Sequence, residues 1–520
     1  MSEAAAAAPT ASATQKKKKK FNVPTAFTIL FIITILAVIA TWCIPAGKYA
    51  KLSYVPDSGQ LMITQPDGST EMLEATQEAL EANPETAGMA VQVSKFVDGS
   101  ITKPISIPGT YTELPSKSKG LDEITLSMVR GTIDGVDIMV FIFVLGGLIG
   151  VVNLSGAFEA GLHALTKKTK GREFLLVFLV SVFMLVGGTT CGLEEEAVAF
   201  YPILVPIFLA LGYDSIICVG AIFLAGSMGT TFSTINPFAA VIASNAAGIN
   251  FLEGIGWRTA GLIVGGIAVI AYLYWYSKKI KADPTFSYTY EDREHFAELY
   301  AVRASGTGHD FNWRKKAILI LFVAAFVIMV YGVMALHWWF PQMAGSFLLI
   351  AIICMIISGK NEKECTEAFT AGSASLVGVS LIIGLARGIN LILDEGLISD
   401  TILYWASNAV AGMPGPIFVV MVMLVFFLLG FIVPSSSGLA VLAMPIFAPL
   451  ADAVGIDRYT IVCAYNWGQY AMLYLAPTGL VMATLQMLDM KYQHWLKFVT
   501  PMVIFLLVFG SGMLIAQTLV

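Results

Sequence analysis

Apolar runs of about 20 residues recur along this chain, which is the length a helix needs to cross a bilayer core. The first run, 25–45, is too long for the apolar region of a cleaved signal and reads as a first membrane span. It follows a tail, 1–24, that is alanine-rich and then basic from Lys16 to Lys20. By the positive-inside rule the tail is expected in the cytoplasm. Residues 46–120 break the apolar pattern with many acidic residues and several prolines, and are expected as an extracytoplasmic loop or small cap. A short amphipathic entry helix over 121–130 then leads to a span near 133–154 and to a basic loop at Lys167, Lys168, Lys170 and Arg172.

Two later regions are apolar but interrupted. Within 121–277, the pieces 174–187 and 197–211 are each too short to span comfortably. They predict a re-entrant hairpin, 174–212, with its tip at GGTTCGLEEEA, followed by a broken helix, 216–248, interrupted at TTFSTINP. A basic stretch, 278–316, reads as a cytoplasmic linker. The second half, 317–520, repeats both devices: a hairpin, 415–450, tipped by PSSSG, and a broken helix, 458–490, interrupted at LAPTG. A last span brings the C-terminus outside. One offset superposes Gly187, Pro202, Pro206, Gly212 and Asp214 on Gly430, Pro445, Pro449, Gly455 and Asp457, which predicts an internal repeat. The charge bias gives its two copies opposite orientations. The fold class expected is therefore all-α and integral to the membrane, with two inverted-topology repeats.

Composition agrees. Of 520 residues 57% are hydrophobic and only 13% charged, which a soluble domain of this size does not show. The net charge of -5 gives no reason to expect a nucleic-acid partner. The 6 cysteines have no metal-ligand spacing. No nucleophile–base set, nucleotide loop or dinucleotide fingerprint is present, so neither an enzyme nor a bound cofactor is expected. The partners expected are the bilayer and a small amino-acid or carboxylate substrate.

Irregular backbone at membrane depth is tolerated where it is buried in protein or lines a cavity, so the tips and breaks are the candidate site. At the first tip these are Thr189, Thr190, Glu194, Glu195 and Glu196. Successive residues point about 100° apart on a helix, so at most two of the glutamates face one site. A tip at the membrane surface, with the glutamates capping a helix, is the bland alternative. The first break offers Thr230, Ser233, Thr234 and Asn236, which suit a polar substrate group or an ion; a proline-kinked helix would need no ligand. At the second tip Ser435, Ser436, Ser437 and Gly438 suit a carboxylate, and Pro477 and Thr478 mark the second break. Thr230, Asn236 and Thr478 are the candidate ion ligands, with sodium or a proton as the coupling ion. Arg387 sits near the outer end of its span, where snorkelling explains it as well as function does.

The stretches GLEEEAVAFYPILVPI and GFIVPSSSGLAVLAMPI, with GTTFSTINP and LAPTG, resemble the YfcC-like branch of the DcuC family, in the ion transporter superfamily. That resemblance implies a homodimer in the inner membrane, with a scaffold and a transport domain that moves as an elevator. It also implies C4-dicarboxylates as substrates for the family and basic amino acids for the branch. The expected function is secondary active transport of an amino acid such as arginine or ornithine, by ion-coupled symport or exchange. The alternative is a C4-dicarboxylate carrier on the same scaffold. A channel or a receptor without flux fits less well, because paired broken helices suit alternating access.

Overall fold

The computed structural model describes residues 25–89, 91–98, 101, 103–158, 160–161, 172–194, 196–299, 312–336, 338 and 340–519. The tail 1–24, Lys167, Lys168 and Lys170 of the basic loop, Glu195 and Arg303 lie outside the described residues, as do the side chains of Cys191, Glu196 and Pro237. Among the described residues seven helices are long and apolar enough to cross a membrane. This is a mostly helical, multi-pass membrane protein.

The expectation of an all-helical chain needs correction in one place. Six short strands lie between Gly47 and Glu113. β1 (Gly47–Lys48) pairs with the last, β6 (Thr112–Glu113), while β2 (Lys51–Val55), β3 (Gln60–Thr64), β4 (Thr70–Glu74) and β5 (Ile105–Ser106) form a four-stranded antiparallel sheet in the order β4-β3-β2-β5. Leu52, Leu61 and Ile63 are fully buried and alternate with half-exposed neighbours, as strands with one covered face require. The turn between β2 and β3 closes at Gly59, whose φ of 64° is left-handed and suits glycine. Strands of five residues or fewer are weak signals beside 20-residue apolar runs, and this one lies among acids and prolines.

The two interrupted regions are each a pair of helices joined by a short turn, followed by a helix that breaks and resumes. The first hairpin is a helix Phe174–Cys191, a left-handed Gly192, a 3-10 turn Glu196–Phe200 and a helix Tyr201–Ala210. Its first arm runs a full turn beyond the expected end at 187. Close packing is the cause: a Cβ on Gly188 would lie 2.0 Å from the Gly226 carbonyl oxygen, and one on Gly229 2.1 Å from that of Leu185. The small residues let two backbones touch, and this contact outweighs the weak helix propensity of the GGTT stretch. The second hairpin is Gly415–Ile432, three non-helical residues and Ser436–Ala453.

The first broken helix runs over Ser215–Thr231 and resumes as a π-helical turn, Pro237–Val241, leading into Ile242–Ala246. The second runs over Arg458–Leu473 and resumes at Gly479–Met487. Residues matched by the sequence offset fall in like places. Gly212 and Gly455 both take left-handed φ, at 81° and 70°, and Asp214 and Asp457 each precede the first turn of a broken helix. The basic residues at 278–281 form the last turn of the helix Ile255–Ala282, so the linker begins later than the charge pattern suggests.

A Cβ on Gly468 would sit 2.1 Å from the Met423 carbonyl oxygen, whereas one on Gly512 would meet nothing within 4 Å. Gly468→Val should therefore push the second hairpin off its broken helix, at a cost of about 1–3 kcal/mol. It should lower the thermal midpoint in detergent by several degrees, while Gly512→Val leaves it near the wild-type value. Equal midpoints for the two variants would contradict the close packing.

Candidate functional site

Both hairpin tips and both helix breaks open on one cavity of about 530 Å³. The predicted residues that line it are Glu194 from the first tip, Thr230 and Asn236 from the first break, Ser435, Ser436 and Ser437 from the second tip, and Pro477 and Thr478 from the second break. Thr189, Thr190, Ser233, Thr234 and Gly438 do not line it. Of the three glutamates, Glu194 reaches the cavity; the placement of Glu195 and of the Glu196 side chain falls outside the described residues.

The first tip is knotted to the first break. Asn236 is fully buried, and its Nδ2 donates to the Gly188 carbonyl at 2.8 Å while its Oδ1 accepts the Phe238 N–H at 2.8 Å. The Thr189 carbonyl accepts the N–H groups of Thr234 and Ile235 at 3.3 Å, and the Thr189 hydroxyl accepts the Thr234 N–H at 3.0 Å. Thr230 Oγ lies 3.4 Å from the Gly188 carbonyl. Thr190 instead bonds back to Val186 at 2.7 Å within its own helix. Ser233 Oγ is buried and has no hydrogen-bond partner among the described residues. The residue types expected to bind a guest thus serve first to hold the tip against the break.

The second tip is held differently. Ser435 Oγ accepts the Gly438 N–H at 3.1 Å, which is a helix N-cap. Tyr465 donates its hydroxyl to the Ser436 carbonyl, and Gln469 Nε2 reaches the Val433 carbonyl at 3.4 Å. In the second break, Trp495 Nε1 donates to the Tyr474 carbonyl at 2.8 Å and Tyr492 donates to the Leu475 carbonyl. Thr478 Oγ caps the resumed helix through the Val481 N–H at 3.4 Å.

Several lining residues were not singled out by the sequence. Asn390 and Asp394 come from the helix Val377–Glu395, and Tyr470 from the second broken helix. Asn390 carried a usable signal, since the stretch around it, RGINLILDEGLI, resembles VVNLSGAFEAGL around Asn153. Arg387 also lines the cavity. Its Nη1 donates to the Asp134 carbonyl at 2.7 Å and lies 3.0 Å from Asp134 Oδ2. Asp134 ends the helix Glu123–Asp134, where a cation is favoured. Lys103 comes from the sheet-containing segment, and its Nζ donates to Ser437 Oγ at 3.0 Å. Nothing local in the sequence marked that lysine.

Two hairpin tips and two helix breaks facing one cavity, whose wall mixes apolar side chains with a few charged and hydroxyl groups, within a multi-pass helical protein point to a membrane transporter. The chain belongs to the DcuC family, described as C4-dicarboxylate anaerobic carrier, whose model matches residues 23–519. It is 61% identical over 500 residues to an uncharacterized protein of Haemophilus influenzae, covering 96% of this chain and 97% of that one. It is 28% identical over 516 residues to the Escherichia coli K12 protein named "Putative basic amino acid antiporter YfcC", again covering 96% and 97%. Neisseria gonorrhoeae MtrF, from a class of antimetabolite efflux pumps, matches at 16% identity and a TM-score of 0.36, with 95% of each chain covered. The Alcanivorax borkumensis YdaH transporter matches at 14% identity and a TM-score of 0.38, covering 95% of this chain and 98% of that one. Scores this low do not establish a shared fold.

Asn236→Ala should leave the Gly188 carbonyl only the long Thr230 contact at 3.4 Å and take the side-chain acceptor from the Phe238 N–H, at a cost of about 1–3 kcal/mol. The thermal midpoint in detergent should fall accordingly, while Thr190→Ala stays close to wild type. An unchanged midpoint for Asn236→Ala would show that the amide does not hold the tip.

Proposed function

We propose that this protein is a secondary active transporter of amino acids, with basic ones such as arginine or ornithine as the leading candidates. The observation that carries this reading is the charge of the cavity. Its wall contains three acidic side chains (Asp134, Glu194 and Asp394) and two basic ones (Lys103 and Arg387), and Arg387 is paired with Asp134. A dicarboxylate would add two negative charges to a surface that already has more acid than base. An amino acid brings its own cation for the acidic side and a carboxylate for the tip at Ser435–Gly438, where hydroxyls and a helix N-terminus converge. The name of the Escherichia coli relative supports the basic class.

The rival reading is a C4-dicarboxylate carrier, favoured by the family's description and by Lys103 in the wall. In that case Glu194 would serve as a proton site. For coupling, we place sodium or a proton at the breaks, with Thr230, Asn236 and Thr478 as candidate ligands; the buried Ser233 hydroxyl supports a polar guest nearby. The like placement of offset-matched residues supports two repeats, and the charge bias of the loops supports their opposite orientation. A homodimeric elevator in the inner membrane, with the N-terminus cytoplasmic and the C-terminus outside, completes the reading by family resemblance and charge bias.

A ligand that binds only the folded protein raises its stability, by about 2.7 kcal/mol at 100 times its Kd. Arginine or ornithine should therefore raise the thermal midpoint of the purified protein more than succinate does, and Glu194→Gln should remove that protection. If succinate or fumarate protects and basic amino acids do not, the dicarboxylate reading replaces this one. In proteoliposomes, uptake should follow a sodium gradient imposed alone; uptake that ignores sodium and follows pH moves the coupling to Glu194.

A further inference from the structure

The sheet-containing segment carries a lysine that its own fold does not use. Lys103 lies between Ile101 and Ile105, both buried in the segment's core. The Ile101 N–H donates to the Lys95 carbonyl at 2.8 Å, and Ile105 pairs with Leu52 across β2 and β5. These ties fix the backbone at Lys103 where β5 packs against the helix Ser436–Ala453. The segment as a whole is clamped to the bundle elsewhere. Lys51 Nζ lies 3.0 Å from Asp400 Oδ2, and the Tyr49 N–H donates to the same carboxylate at 3.1 Å. The Tyr111 ring stacks on Tyr404 with centroids 4.2 Å apart.

The Lys103 side chain leaves this core and enters the cavity wall. Its ammonium has three hydrogens to donate, and Ser437 Oγ at 3.0 Å takes one. The protein around it pulls its pKa below the usual lysine value by desolvation, and Asp394 opposes that shift. The other cation of the wall, Arg387, is bound to Asp134. Among the described lining residues, Lys103 is therefore the cation that no carboxylate holds in an ion pair, and it keeps donors for an anionic group.

We propose that Lys103 is a substrate-binding residue whose ammonium meets the substrate carboxylate beside Ser437. The inference rests on the reading that the second tip receives a carboxylate. Hydroxyls and a helix end offer only partial positive charge, whereas an ammonium forms a charge-assisted bond about twice as strong as a neutral one. The segment 46–120 then belongs to the binding site and helps select for a carboxylate.

The test uses the purified full chain and three probes: arginine, its decarboxylated analogue agmatine, and succinate. Lys103→Met should weaken arginine binding by about 10- to 100-fold. Agmatine, which lacks the carboxylate, should bind Lys103→Met as it binds wild type, and Lys103→Arg should retain most of the arginine affinity. Equal losses for arginine and agmatine would show a general structural role and overturn the proposal, as would an unchanged arginine affinity. If the wild type binds succinate and not arginine, the amino-acid reading fails on its own. Lys103 is then judged on succinate, where a similar loss in Lys103→Met supports the proposal and no loss overturns it. A wild type that binds agmatine alone, or none of the three, overturns both.

Discussion

Peptide groups that leave a helix inside apolar surroundings need new partners, because an unpaired buried N–H or carbonyl costs several kcal/mol in a hydrocarbon setting. Both helix breaks depend on meeting that need. At the first, the neighbouring hairpin supplies the partners: the Thr189 carbonyl and hydroxyl take the N–H groups of Thr234 and Ile235, and Asn236 bridges Gly188 to Phe238. At the second, large side chains supply them, with Trp495 and Tyr492 donating to the carbonyls of Tyr474 and Leu475. The cavity exists because these groups are satisfied from behind, which leaves the front of each break to face inward.

The sheet-containing segment is coupled to this arrangement through charge. Lys51 is mostly buried, and burial pulls its pKa down while Asp400 pulls it up. Removing either partner would strand a buried charge, which is far more costly than the pair's net worth. Glu395 forms a second anchor by taking Lys119 at 2.6 Å and Arg130 at 2.7 Å. Those two cations come from the end of the segment and from the entry helix, so the segment, the entry helix and the helix Val377–Glu395 are tied at one carboxylate.

Much of this was legible in the sequence, for physical reasons. Glycine and proline punctuate apolar runs only where backbone departs from a helix or approaches another closely, so LAPTG, PSSSG and TTFSTINP located the breaks and the second tip. The first tip was placed a turn early, because the contact of Gly188 with Gly226 is a tertiary feature that no local propensity reports. Of the three glutamates singled out by the cost of charge in a membrane, Glu194 lines the cavity. Lys103 and Asp394 were not legible as site residues, since each looks like an ordinary charge in a polar segment or near a helix end. The ion pair of Arg387 was not legible, because its partner, Asp134, is 253 positions away.

The two tips are fastened in unlike ways, and this bears on their stiffness. The first is joined to its neighbour by main-chain bonds and by glycine faces in direct contact, so it can loosen only if helix 174–191 and the break at 232–236 come apart together. The helix leading to the second tip also packs closely on a glycine, Gly468, but the non-helical tip itself is restrained across to its neighbours by side chains, those of Lys103, Tyr465 and Gln469, each able to let go by rotating about its own bonds. Local opening draws on the least stable contacts of a structure. Fluctuations that admit or release a small molecule are therefore cheaper at residues 433–437 than at 188–192, which gives the cavity one pliant wall and one rigid one.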